Sequence, residues 1–387
     1  MKKYIDILHI YSGTSGASGL YLNEIYSALN KKYKQEVIVS YNYPFNYGKK
    51  WFYRFTDISS LDLEILKIQK IRYIVRFLEL ITTLLKIYFL LLFNNIKYVN
   101  YNLTTDLFIE YIFLKFLKFN KKLKIIITCH DVLPFGTDNP IILEKKIKHK
   151  KRFFKLADYL IIHNMNSKKD LRKYYNIKDE KLLNFPFPLM DLNKLKEEKS
   201  GLKLDIIEKK FTVGMFGHFR KEKGLNILIN AWNEFYGKKK DVQLIIAGNI
   251  PPNLDYDFSS IENKSTYILK NFIDDSLLKK LIGICDVVIL PYERGTNSGL
   301  PSSILTNNTL LLASHIPMFV NNELIDNKFL FESKNSFDLV KKLEWIYLSE
   351  NKLINELKFK NNTLINDYYE NFYRTINSKF DSIMNIN

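Results

Sequence analysis

Two cations three residues apart, Arg220 and Lys223, stand between an apolar run and an amphipathic segment in VGMFGHFRKEKGLNILINAW. A guanidinium holds phosphate oxygens with a fork of N–H donors, and an ammonium adds a compact point charge. Gly217 and Gly224 flank the pair and allow close approach of backbone to a ligand. The combination reads as a clamp for a diphosphate. Lys221 in the same turn argues for an ordinary basic surface, but placement at a strand end favours the clamp.

Other pieces have weaker chemistry of their own. GTSGASG, Gly13 to Gly19, follows the first apolar run and offers helix-start N–H groups to an anion or a sugar hydroxyl. Its GxxGxxG spacing is not the GxGxxG of dinucleotide binders. In CDVVILPYERGTNSGLPSSIL, a buried run ends at Pro291, and Asn297, Ser298 and Gly299 open a helix as caps or as a phosphate site. His130, beside Asp131 at the end of another apolar run, is read as functional. His163 and His218 are read as structural.

These residues need strand ends to position them. The chain alternates strands (Tyr4–Ile10, Glu36–Tyr41, Ile96–Asn100, Lys124–Thr128, Tyr159–His163, Leu182–Phe187) with helices at Gly19–Leu29, Leu61–Phe93 and Asp106–Phe119. A polar, lysine-rich stretch, Asp191–Lys210, reads as a linker. The alternation then resumes at Phe211–Phe216, with a helix whose Leu225, Leu228, Ile229 and Trp232 fall on one face. Two doubly wound α/β units are expected, with the site in a cleft at the carboxyl ends of their strands.

The 387 residues suit two domains, and 47% hydrophobic with 26% charged residues excludes a disordered or collagen-like chain. Two isolated cysteines, Cys129 and Cys285, offer no disulfide framework or metal cluster, which fits a cytoplasmic protein. The net charge of +17 is lopsided. Residues 1–200 hold 35 Lys+Arg against 19 Asp+Glu, and the rest hold 23 against 22. Such asymmetry predicts an anionic surface facing the first half. No nucleic-acid motif accompanies the charge, so nucleic acid is not expected as a partner.

Ile71, Ile74, Val75, Leu78, Ile81 and Leu85 form a helical stripe, too interrupted by charge to span a membrane. The favoured reading is a core-facing helix. The alternative is an amphipathic face on an anionic bilayer, assisted by the basic run EKKIKHKKRFFK at Glu144–Lys155.

The order of these pieces resembles the retaining glycosyltransferases of family 4. The resemblance rests on the glycine loop, TCHDVLP at Thr128–Pro134, ADYLIIHN at Ala157–Asn164, FGHFRKEKGLNILINAW, LIIAG at Leu244–Gly248, and DDSLLKKLIGICDVVILPY leading into NSG. It implies a GT-B fold: an acceptor domain over 1–190, a linker at 191–210, and a nucleotide-sugar donor domain over 211–364. A C-terminal helix, about 365–387, is expected to pack back on the first domain.

The resemblance also implies roles. Arg220 and Lys223 would hold the donor diphosphate, with Gly217, Asn297, Ser298, Gly299 and Leu300 around the phosphates or donor sugar. Gly16 would lie near the sugar, His130 would face it, and Phe272 and Ile273 would meet the base. The implied reaction moves a hexose from a UDP- or GDP-sugar to a glycan or lipid-linked acceptor, as in bacterial envelope polysaccharide synthesis, with no metal or other cofactor. Localisation would be cytoplasmic, or peripheral on the inner membrane face. One departure stands out. Two glutamates usual in the family fall at Thr296 and Ile304, and Glu293 is the only nearby acid to replace them. That departure keeps open an inactive, glycan- or partner-binding GT-B module.

Overall fold

The computed structural model describes residues 3–11, 18–39, 45, 51–52, 68–102, 107–134, 139–195, 210–251, 254, 256–262, 265–295 and 297–385. The chain divides into two compact units, Met1–Pro188 with Asn371–Asn387, and Leu189–Glu370.

The first unit is a wholly parallel sheet of β1 (Lys3–Ile10), β2 (Gln35–Val39), β3 (Trp51–Phe52), β4 (Asn94–Tyr101), β5 (Lys124–Thr128), β6 (Tyr159–Ile162) and β7 (Leu182–Asn184). Its order is β3-β2-β1-β4-β5-β6-β7. Helices α1 (Ser18–Leu29), α2 (Gln69–Phe93), α3 (Phe108–Leu117), α4 (Pro140–Leu156) and the short α5 (Met165–Asp170) connect the strands. Runs such as KIIIT in β5 are buried on both faces, which is why they lack polar alternation. The last strand is shorter than the sequence predicts, because Pro186 and Pro188 follow it and neither has an N–H for a ladder.

The second unit repeats the plan with β8 (Phe211–Phe216), α6 (Leu225–Lys238), β9 (Val242–Ala247), β10 (Thr266–Leu269), α7 (Asp275–Gly283), β11 (Val287–Leu290), α8 (Leu300–Thr306), β12 (Leu310–Ser314), α9 (Pro317–Val320) and β13 (Leu330–Phe331). Its parallel order is β10-β9-β8-β11-β12-β13. The α6 stripe of Leu225, Leu228, Ile229 and Trp232 is buried against the sheet. In both units the order reverses beside the first strand, between β1 and β4 and between β8 and β11. Ligands of open α/β sheets bind at such reversals.

Within the stretch read as a linker, Leu192 is buried and Asn193 Nδ2 donates to the Thr306 carbonyl at 3.1 Å, so this part is anchored to the second unit. The 49-residue helix α10 (Ser336–Met384) ends the chain. Its Leu339, Leu343 and Ile346 join the core of the second unit. Its last turns belong to the first unit, where Asn377 Nδ2 donates to the Ala28 carbonyl at 2.9 Å and Tyr98 Oη donates to that of Ile383 at 2.7 Å.

The favoured reading of the α2 stripe is overturned. Ile74, Leu78 and Leu85 face solvent, and the helix buries Glu79, Leu80, Thr83, Leu84 and Ile87 instead. The two faces are similarly apolar, so periodicity could not say which one the sheet takes.

Candidate functional site

In the second unit, β8 ends at Phe216 and the chain turns sharply. Gly217 has φ +121° and Gly224 φ +68°, values that side chains beyond glycine rarely adopt. A Cβ on Gly224 would stand 1.9 Å from the Pro291 carbonyl oxygen, so only glycine lets this turn lie against the end of β11. Between the glycines, Phe219 is buried and Lys221–Lys223 forms one 3₁₀ turn. The anchoring leaves Arg220 and Lys223 half-buried and Lys221 exposed, which separates the pair from an ordinary surface lysine.

The turn is stitched to the loop after β11. The Glu293 amide donates to the Glu222 carbonyl at 2.8 Å, and Arg294 pairs with the buried Glu222 carboxylate at 3.3 Å. Lys223 Nζ lies 3.6 Å from the ring centroid of Tyr292, a cation–π geometry. Tyr292 is buried, and among the described residues its hydroxyl has no hydrogen-bond partner. Sequence reasoning missed Tyr292; its place directly after LPY's proline at a strand end was the available signal. Two cations are thus held at the β8/β11 reversal. Their charge is felt next door: burial, then Arg220 and Lys223, hold the His218 imidazole below its usual pKa.

Around this turn, Gly217 faces Leu300: a Cβ built on it would meet only the Leu300 side chain, at 3.7 Å. This brings the start of α8 to the β8 turn. Gly299 is also required, because a Cβ there would meet Met190 Cγ at 2.7 Å. Ser302 accepts from the Met190 amide at 2.9 Å and Ser303 donates to the Met190 carbonyl at 2.6 Å, pinning the helix start. Asn297, Ser298, Gly299 and Leu300 are all half-buried there. Ile304 is buried in the interior. Glu293 is committed to an ion pair with Lys334 at 3.3 Å. Phe272 and Ile273 follow the edge strand β10, two strands from β8, and Phe272 is 66% exposed.

In the first unit, His130 follows β5 and its Nε2 donates to the Asn102 carbonyl at 2.8 Å. Burial, the leading cause, lowers its pKa, so the ring is neutral near pH 7 with its lone pair on Nδ1. Tyr21 packs edge-on against it at 4.7 Å. The Tyr21 hydroxyl contacts His163 Nε2 at 3.0 Å, and His163 Nδ1 lies 3.2 Å from the Phe185 carbonyl, so His163 is structural. Asn102, directly after β4, is fully buried, and among the described residues its side-chain amide has no hydrogen-bond partner. It too was missed, since an isolated asparagine after a strand has no distinguishing spacing. Gly16 and Thr296 lie outside the described residues. Among the described residues, no cluster of three or more His, Cys, Asp or Glu could hold a metal ion.

Residues 196–363 match the family model of glycosyl transferases group 1. The match lies within the second unit and covers less than half of the chain. Solved glycosyltransferase structures match nearly the whole chain. HepE from Anabaena, solved with UDP and glucose, is 15% identical with a TM-score of 0.63 over 98% of this chain and 99% of that one. A Rickettsia africae glycosyltransferase is 15% identical with a TM-score of 0.61 over 99% and 97%. An E. coli protein titled trehalose-6-phosphate, bound with UDP-2-fluoro glucose, is 11% identical with a TM-score of 0.63 over 99% of both chains. These likenesses establish the GT-B fold. Among curated proteins, none matches the sequence.

Proposed function

We propose that the protein is a retaining glycosyltransferase that moves a hexose from a nucleotide-diphosphate sugar to a glycan or lipid-linked acceptor, in bacterial envelope polysaccharide synthesis. The first unit takes the acceptor and the second takes the donor. The carrying observation is the Arg220–Lys223 turn, half-buried at the β8/β11 reversal and fixed by Tyr292 and Glu222. UDP is the favoured base because HepE was solved with UDP and UDP-glucose.

In the proposed reaction, the bond from the sugar's anomeric carbon to the phosphate oxygen breaks as the acceptor oxygen bonds to that carbon on the same face. The acceptor proton passes to the departing phosphate. Arg220 and Lys223 neutralise the charge growing on the diphosphate, aided by amides at Ser298–Leu300. Neutral His130 accepts from, or packs on, the transferred sugar. Phe272 and Ile273 meet the base from the β10 loop. No metal ion enters this scheme. Transfer and donor-hydrolysis assays over UDP- and GDP-sugars test it: Arg220→Ala and Lys223→Ala should each lower turnover strongly, and unchanged turnover would remove their assigned roles.

The second reading is an inactive GT-B binding module. It is favoured by Ile304, which puts a buried aliphatic side chain where the family has an acid, and by Glu293 being committed to Lys334. Absence of UDP or GDP binding at millimolar concentration would select it.

A further inference from the structure

Three helices of the first unit lie side by side. The connections through α2, α3 and α4 all step across the sheet in one direction, and right-handed crossovers place such helices on one sheet face. Tyr88 of α2 packs on Phe116 of α3 at 5.8 Å, and Tyr111 of α3 on Phe153 of α4 at 5.7 Å.

The first two helices are apolar on both sides: Leu80, Leu84 and Ile87 of α2 and Leu114 and Leu117 of α3 join the core, yet each helix also presents an apolar row to solvent. On α2, the polar Glu79 and Thr83 turn to the core, while Ile74, Leu78, Leu85, Phe89 and Leu92 face outward. On α3, Glu110 is fully buried, while Phe108, Ile112 and Phe116 run along the outer face and continue to Phe119, 79% exposed. Leaving a row of phenyl and isobutyl groups in water runs against the hydrophobic effect. Large contiguous apolar patches are rare on soluble monomers, and rows of exposed apolar groups such as these mark a surface with a partner.

The neighbouring charge selects the partner. The outward stripe of α4 is Lys145, Lys148, Arg152 and Lys155, and Glu144 is the only exposed carboxylate on the three helices. An apolar face bordered by cations fits the boundary between acyl chains and anionic headgroups: rings and aliphatic groups enter the layer while ammonium and guanidinium groups meet lipid phosphates. Among the described residues no helix is long and apolar enough to cross a membrane, so contact would be in the interfacial plane.

We propose that the outer face of α2 and α3 inserts into the headgroup layer of an anionic bilayer, with the α4 cations seated on lipid phosphates. This deepens the proposed function, since a lipid-linked acceptor would be reached from the same surface, but it does not depend on donor binding.

Flotation of the full chain with vesicles tests it. Vesicles of phosphatidylcholine with about 30 mol% phosphatidylglycerol should carry the protein upward at least about tenfold more strongly than phosphatidylcholine alone, and added salt should weaken the association. Two double variants at exposed positions, Leu78→Ser/Phe89→Ser and Phe108→Ser/Phe116→Ser, should each lose flotation while keeping the wild-type circular dichroism. Lys148→Glu/Arg152→Glu removes two basic residues worth about 1 kcal/mol each at the headgroup surface and adds two like charges, so it should lower flotation at least about thirtyfold. Failure of the wild type to float on anionic vesicles would overturn the proposal. So would serine variants that float normally, or concentration-dependent self-association, without vesicle binding, that the serines abolish. Calorimetry with UDP in vesicle-free buffer reports separately on the donor site.

Discussion

Lys223 and Tyr292 belong to different loops of the second unit, yet the Lys223 ammonium stands 3.6 Å from the centre of the Tyr292 ring. The ring is buried, and among the described residues no carboxylate forms an ion pair with this ammonium. A cation–π contact of a half-buried lysine is worth about 1–2 kcal/mol. Tyr292→Leu should therefore lower kcat/KM for the nucleotide-sugar by about tenfold, chiefly by misplacing Lys223. Tyr292→Phe keeps the ring and removes a buried hydroxyl with no hydrogen-bond partner among the described residues, so it should retain activity with equal or higher stability. Equal kinetics for Leu and Phe would show that the ring does not position the lysine.

Gly224 is a second point where local geometry fixes the clamp. Gly224→Ala places a methyl into the Pro291 carbonyl at a positive φ, and should cost at least about 2 kcal/mol, read as a lower urea midpoint. Gly237→Ala, with open space around its Cβ, is the control and should not destabilise the fold.

Ile304 bears on the missing acid. It is buried, so Ile304→Glu would put an unpaired carboxylate in the core and should destabilise the second unit rather than improve donor affinity. Tighter UDP binding with an unchanged urea midpoint would show instead that the position faces the donor.

Acid should destabilise the first unit through its buried histidines. Burial lowers His9 to about 4 and His163 to about 3, against 6.5 unfolded. The unfolded chain then binds more protons below pH 6.5, so stability present above that pH is lost as pH falls toward the folded values. Between pH 6.5 and 5 each histidine contributes roughly 2 kcal/mol of loss. Urea titrations at the two pH values measure it, and His163→Phe should flatten the dependence.

Much of this was legible beforehand because parallel strands buried on both faces write themselves as apolar runs. Lys124–Thr128 and Phe211–Phe216 match to the residue. The glycine-flanked cations were legible for a similar reason: Gly217 and Gly224 mark backbone that other residues cannot adopt. Tyr292 was not, because its role depends on two loops meeting across a strand reversal, and nothing local encodes that. The α2 stripe misled because amphipathicity tells that a helix has an apolar face, not that water lies on the other one. The buried Glu79 and Glu110 are contacts only the sheet and its neighbours could reveal.

The central claim is that Arg220 and Lys223 hold a nucleoside diphosphate. Calorimetric titration of UDP into the wild type and the Arg220→Ala/Lys223→Ala double variant tests it most directly. With each charge-assisted contact worth about 1.5–3 kcal/mol, the double variant should bind UDP at least about a hundredfold more weakly while keeping the wild-type circular dichroism. Equal UDP affinity in the two proteins would contradict the account.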